Sequence, residues 1–475
     1  MYDLTAMLRG DSNKCLYEQI YEYIRQEIRE GKLRPGERLP STRSLAEYLQ
    51  ISRSTASLAY DQLLSEGYIA SRPYRGYYVC RMEELYRLET GGDSLQEDGP
   101  ARGGAVSKSA AQERYVCDFS PTAIDMSRFP FSVWRKINRS VLSQNSSGLF
   151  TQGDAQGEYS LRETISGYLH SSRGVNCTPQ QIIVGAGNDY LLLLLEKILG
   201  RHVRIAMENP TYKRAYQIFD SFAYEITTVD MDEAGMSAAG LRQSDVTAAY
   251  VMPSHQYPTG VLMPIGRRLE LLKWANEAPG RYLIEDDYDS EFRYRGKPIP
   301  ALQASDTQGR VIYIGTFSKS IAPAIRVSYM VLPPALLELY RQRCGFYSAT
   351  VSRIDQKMLE EFIAGGYFER YLNKMRKHYK EKHDLLLEEL ADFGQYFTVT
   401  GENAGLHLLL TGRRGQTEEA LTAAARAQGV RVYGLSENLV GTSGKKPGHT
   451  VLLGYGGLEA EEIKNGLTLL RQAWL

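Results

Sequence analysis

Beyond residue 180 the chain is punctuated by five short apolar runs: Ile182–Val184, Val203–Met207, Val246–Val251, Tyr282–Glu285 and Val311–Ile314. Helical segments such as Arg267–Asn276 separate some of them. Runs this short and this apolar suit strands buried on both faces, and helices returning between them make such strands parallel. Residues 116–475 are therefore expected to form an α/β unit built on a mainly parallel sheet. A charged helical stretch from Tyr367 to Leu390 opens what reads as a smaller C-terminal subdomain.

Two of these runs end in reactive residues. Val311–Ile314 leads into Gly315-Thr316-Phe317-Ser318-Lys319-Ser320, with Arg326 close behind, and Tyr282–Glu285 leads into Asp286 and Tyr288. A lysine after a buried strand can form a Schiff base with an aldehyde cofactor. An acid at a neighbouring strand end can keep a pyridine nitrogen protonated, and a serine with an arginine can grip a phosphate. The turn Gly185-Ala186-Gly187-Asn188 opens a helix, so backbone N–H groups around Gly187 and Asn188 can hold the same phosphate. Tyr212 can stack on the ring and Tyr288 can hydrogen-bond its phenolate oxygen. Singly, each residue has an ordinary structural use: Asp286 as a cap, Tyr212 and Tyr288 as packing, His255 as a core histidine, Lys319 as a solvated loop lysine. Their order and spacing together point to pyridoxal 5'-phosphate, with Lys319 as the attachment point.

The first eighty residues read differently. Leu16, Ile20, Ile24 and Ile28 keep helical spacing up to Gly31, and Pro35-Gly36 marks a turn. Ser41 and Ser52 are placed to cap two further helices. A glycine-bearing hairpin with Arg75-Gly76 at its tip follows. This is the pattern of a winged helix-turn-helix, whose second helix enters the major groove N-terminus first. Ser41, Arg43, Ser52, Arg53, Ser54, Thr55, Arg75 and Gly76 are the expected DNA contacts, with Arg53 able to reach a guanine or a phosphate. Net charge is zero, so attraction to DNA must be local; Lys32 to Arg75 carries seven basic against four acidic residues. The expected domains are 15–80, a linker over 81–115 and an effector unit over 116–475. The glycine-rich stretch 91–112 would span roughly 25 Å as a coil.

The segments Leu16-Tyr17-Glu18-Gln19-Ile20, Pro35 to Ala46 and Ser52-Arg53-Ser54-Thr55 resemble the GntR family of regulators. The segment from Gly153-Asp154-Ala155-Gln156-Gly157 through Ser318-Lys319 resembles the fold type I aminotransferases. In this order the two resemble the MocR regulators over nearly the whole chain. Glu285 to Phe292, Ile299-Pro300-Ala301-Leu302 and Gly315 to Ser320 are similar to the GabR and PdxR members. The resemblance implies a transcription regulator acting on a double-stranded DNA operator, a homodimer, pyridoxal phosphate as cofactor and effector, and at most vestigial transaminase activity. Arg214 and His255 would face an amino-acid co-effector, if there is one.

Two departures bear on that effector. Tyr257 stands where aminotransferases place an asparagine, and Gly457 stands where they and GabR-like proteins place a carboxylate-clamping arginine. A missing clamp favours PdxR-like cofactor sensing over GabR-like amino-acid sensing, with a working aminotransferase as a further alternative. Five scattered cysteines give neither a disulfide framework nor a zinc site, and no metal is expected. With no signal-peptide pattern and no run of eighteen apolar residues, a cytoplasmic protein without a membrane span is expected.

Overall fold

The computed structural model describes residues 15–73, 75–80, 115–143, 146–294, 299–441 and 448–475. Nearly all of the expected linker, 81–114, lies outside the described residues.

The N-terminal unit holds α1 (Leu16–Arg29), α2 (Thr42–Leu49), α3 (Arg53–Ser65), β1 (Ile69–Arg72) and β2 (Gly76–Val79). Ser41 and Ser52 cap α2 and α3, each accepting a backbone N–H at 3.1 Å, from Ser44 and Thr55. Such caps are worth about 1 kcal/mol each. Ile20, Ile24, Leu45, Leu49, Ala56, Tyr60 and Leu63 form the core. β1 and β2 are an antiparallel hairpin. The chain just before α2 runs beside β2: Val79 N–H donates to the Glu37 carbonyl and Leu39 N–H to the Tyr77 carbonyl, both at 2.9 Å. The wing thus has a third strand-like edge, which the Pro- and Gly-rich sequence there did not announce.

The C-terminal unit begins with β3 (Cys117–Asp118), α4 (Phe131–Ser143) and α5 (Tyr159–Arg173). Its main sheet comprises β4 (Ile182–Gly185), β5 (Arg204–Asn209), β6 (Glu225–Asp232), β7 (Gly235–Met236), β8 (Ala248–Val251), β9 (Tyr282–Asp287), β10 (Val311–Thr316) and β11 (Ser328–Val331), in the order β4-β11-β10-β9-β8-β5-β6-β7. The central strands are parallel, while β11 runs antiparallel to both β10 and β4. β4 therefore points the same way as β5, β8, β9 and β10. The helices α6 (Asn188–Leu199), α7 (Lys213–Ser221), α8 (Ala238–Gln243) and α9 (Ile265–Asn276) lie between its strands in sequence. Apolar clusters form on both faces, one around Ile183, Tyr250, Ile284 and Ile314, another around Ala249, Leu271, Trp274 and Leu283.

α10 (Pro334–Cys344), α11 (Arg353–Ala364) and α12 (Tyr367–Glu389) lead into a second sheet. That sheet contains β12 (Phe397–Thr400) and β13 (His407–Gly412). After α13 (Glu418–Ala427) and β14 (Val430–Arg431), it gains β15 (Tyr433–Gly434) and β16 (Thr450–Gly454), before α14 (Ala460–Trp474). It is antiparallel, ordered β12-β13-β16-β15. β14 pairs instead with β3, so the start of the unit is stitched to its end. No helix among the described residues is long and apolar enough to cross a membrane.

Candidate functional site

The expected cofactor residues all follow strands that point the same way. β4 leads to Gly187 and Asn188, β5 to Tyr212, β8 to His255 and Tyr257, and β10 to Ser318 and Lys319; β9 ends in Asp286-Asp287, next to Tyr288. A parallel sheet gathers such loops along one edge however far apart they lie in sequence.

Alternation along β9 sorts its three acids. Glu285 accepts the N–H groups of Leu302 and Gln303, both at 2.8 Å. Asp287 accepts from Arg173 Nε at 2.8 Å and from the Tyr313 hydroxyl at 2.6 Å. Both are thereby tied into the fold. Asp286 faces the other way, where the Tyr250 hydroxyl donates to its Oδ2 and its buried Oδ1 has no partner. Burial pushes its carboxyl up to about 7.

Lys319 is half-buried, not a solvent-facing loop lysine. Its Nζ donates to the backbone carbonyls of Thr122, at 2.9 Å, and Pro121, at 3.4 Å. Desolvation lowers its ammonium to about 8, with the Asp289 charge opposing. A depressed pKa of this kind is what makes a lysine nucleophilic near neutrality.

Tyr288 meets a histidine–acid pair. His255 Nδ1 lies 2.9 Å from the Tyr288 hydroxyl and 2.8 Å from Asp289 Oδ2. Nδ1 either donates to Asp289 or accepts the Tyr288 O–H, and the Tyr288 hydroxyl also hydrogen-bonds Asp289. The His255 side chain is only 1% exposed, and a Cβ at Gly405 would overlap its ring. His407 sits 5.4 Å away, ring to ring, pushed down to about 3 by burial and by His255, and is neutral. Tyr257 meets Tyr212 at 5.9 Å and Tyr288 at 6.0 Å, both edge to face, so the residue replacing asparagine extends an aromatic wall.

At the helix end, Gly187 has φ +92° and lies directly under Arg326, whose guanidinium a Cβ would overlap. Its own N–H donates to the Gly185 carbonyl at 2.8 Å, and its missing side chain gives Arg326 room. The open donors are N–H groups of the first turn, which lack intrahelical acceptors. Ser318 Oγ and Asn188 Oδ1 are buried there without partners. Arg326 itself adopts a left-handed φ of +49°, which costs a non-glycine residue about 1 kcal/mol. Asp189 stands beside it: its Oδ2 accepts from Arg214 at 2.5 Å and from Arg326 at 3.4 Å.

The second candidate surface is the N-terminal end of α3. Arg53 and Ser54 are exposed there, as are Arg43, Ser41 and Arg75 in their own segments. The Ser52 hydroxyl contacts those of Ser54 and Thr55, each at 2.7 Å, besides capping the helix. Arg43 pairs with Glu47 at 3.0 Å, both largely exposed. Gly76 has φ +98°, which the wing turn requires.

Both units have counterparts among known proteins. Residues 16–79 match the bacterial regulatory proteins of the gntR family, and residues 124–446 match aminotransferase class I and II. The "probable rhizopine catabolism regulatory protein MocR" of Rhizobium meliloti is 33% identical over 99% of this chain and 96% of its own length. This chain belongs to the MocR family. Another relative, the HTH-type transcriptional regulator YdeL of Bacillus subtilis, is 38% identical over 99% of both chains. The pyridoxine biosynthesis regulator PdxR of Corynebacterium glutamicum is 31% identical over 97% of this chain and 96% of its own. Among solved structures, a Pyrococcus horikoshii kynurenine aminotransferase in complex with PMP aligns with a TM-score of 0.68. It is 25% identical over 76% of this chain and 91% of its own. The aminotransferase part of a MocR protein is thus joined to a DNA-binding module of GntR type.

Sequence reasoning missed Tyr250, Asp289, Asp189 and the carbonyls of Pro121 and Thr122. Asp289 lies in the same acidic run as Asp286 and Tyr288, but it follows the end of β9, so strand alternation could not place it. The others become visible only once neighbouring strands are known.

Proposed function

We propose that this chain is a transcription regulator whose aminotransferase-like unit takes pyridoxal 5'-phosphate as effector through Lys319, controlling vitamin B6 synthesis genes in the PdxR-like manner. The observation that carries the reading is the set of buried polar atoms without partners along one sheet edge: Asp286 Oδ1, Ser318 Oγ and Asn188 Oδ1. Buried polar atoms of this kind are costly unless a ligand or water satisfies them. When bound, such a cofactor supplies an aldehyde and an electron-withdrawing pyridinium ring. Asp286 would accept the ring N–H. Ser318, Arg326 and the first turn of α6 would hold the phosphate, and Tyr212 would wall the ring. Tyr288, held by His255 and Asp289, would reach the phenolate oxygen. With a lysine near pKa 8, about one Lys319 in ten is neutral at pH about 7, ready to attack the aldehyde carbon.

Gly457 favours cofactor sensing. A Cβ there would stand 2.6 Å from the Ala123 Cβ, so a side chain at this position would have to displace Ala123. The half-exposed Arg214 is what favours the second reading, a GabR-like amino-acid sensor. Cytoplasmic location and a homodimer on an operator complete the proposal. The test is borohydride reduction of the loaded protein followed by peptide mapping, together with operator binding measured with and without the cofactor. Label on Lys319 and a cofactor-dependent change in operator affinity support the reading. Label elsewhere, or a wild-type visible spectrum in Lys319→Ala, overturns it. Steady-state turnover with amino donors and keto acids would instead identify a working aminotransferase.

A further inference from the structure

The two arginines nearest the start of α6 are unequally committed. Arg214 Nη2 holds Asp189 Oδ2 at 2.5 Å. Arg326 Nη2 reaches the same oxygen at 3.4 Å and the Ala186 carbonyl at 3.5 Å, both long for hydrogen bonds. Besides its burial, Tyr212 lies within electrostatic reach of Asp286, Arg214, Asp189 and Arg326. Asp189 is the second residue of α6, and its carboxylate engages Arg214 at short range and Arg326 only at long range. An arginine already paired at short range offers an incoming carboxylate less net field and fewer free donors than an unpaired one. Arg326, loosely held, keeps its capacity for a second anion.

We propose that Asp189 is the specificity-determining residue of the cleft: it occupies Arg214 and so excludes carboxylate-bearing amines, while the phosphate end stays served by Arg326 and the helix start. The proposal rests on the cofactor reading above and deepens it, because it explains how a cleft that retains an arginine can ignore amino acids. Asp189 is a resident counter-anion whose removal changes ligand class rather than merely ligand affinity.

The experiment compares wild type, Asp189→Asn and Asp189→Asn/Arg214→Gln in two arms. In the first, cofactor-loaded protein is titrated with γ-aminobutyrate, following the visible band. In the second, cofactor-free protein is heated with and without millimolar glutarate, a dicarboxylate with no amine. Asp189→Asn should respond to γ-aminobutyrate at concentrations about tenfold or more below wild type and should be protected by glutarate, because a freed guanidinium regains its charge-assisted donors. The double variant should lose both gains. Equal responses of Asp189→Asn and wild type in both arms would overturn the proposal, as would a gain that survives Arg214→Gln. Wild type that takes up no cofactor would sink the cofactor reading, and the glutarate arm would still decide the role of Asp189. Asp189→Ser provides a second neutral variant should the asparagine fold poorly.

Discussion

Tyr250→Phe tests whether Asp286 is tuned by its one hydrogen-bond donor. The hydroxyl donates to Asp286 Oδ2 in a fully buried setting, and the carboxyl titrates near 7 with that bond in place. A hydrogen bond to a charged group contributes about 1.5–3 kcal/mol, so its removal should raise the Asp286 pKa by about 1–2 units. Holding a protonated ring nitrogen requires ionised Asp286, so the loss of affinity is the added cost of ionising it. At a pH near 7 this amounts to a cofactor affinity about 5- to 50-fold weaker than wild type, shrinking to about twofold or less near pH 9. The assay is a cofactor titration of the apo-protein by visible absorbance across that pH range. The defining result is a defect that high pH suppresses. A loss of equal size at every pH would mean that Tyr250 acts through shape, and no loss at neutral pH would refute the tuning argument outright.

Arg53→Ala should weaken specific operator binding by about 1–3 kcal/mol if Arg53 reads a base, whereas Arg43→Ala should weaken all sequences alike and flatten the salt slope by about one unit. Fluorescence anisotropy over a salt series on operator and scrambled duplexes separates the two, and unchanged affinity in both variants would count against this face. Asp125, buried, accepts from Lys382 Nζ and His378 Nε2 at 2.7 Å each, so Lys382→Ala should cost about 3–5 kcal/mol in denaturant unfolding. These donors hold the Asp125 carboxyl below its ordinary range, so its contribution is present above about pH 4 and is lost as the pH falls through the depressed value. Gly457→Arg should lower the melting temperature and leave γ-aminobutyrate binding absent, since the side chain meets Ala123; a stable variant that binds the amine would show that contact to be yielding.

The strands that could be read from sequence are those buried on both faces, where three or more apolar residues run together. β6 escaped because it lies near the sheet edge and its burial alternates, with Glu225, Thr227 and Asp230 exposed. β11 escaped because Ser328 breaks its apolar run, although every residue is buried. The candidate site divides in the same way. Lys319, Asp286 and Tyr288 follow strands and declare themselves by position. Tyr250 does not, because its value to Asp286 depends on β8 and β9 being neighbours, with Tyr250 opposite Ile284. The carbonyls that hold Lys319 are less legible still, since any residue supplies a carbonyl and only the fold decides which one arrives.

The parallel pairing of β3 with β14 has a consequence for synthesis on the ribosome. Val430 meets Cys117 and Arg431 meets Asp118, so the strand that opens the segment carrying Thr122 to Lys319 gains its partner only when the last tenth or so of the chain has emerged. The winged helix-turn-helix draws its described core entirely from residues 20–79 and can form much earlier. A messenger truncated upstream of codon 430 would therefore yield a competent DNA-binding module with no finished pocket. Such a product would keep the core of the N-terminal unit and lack the finished edge around Lys319, so premature stop codons in this gene would separate the two units rather than remove both.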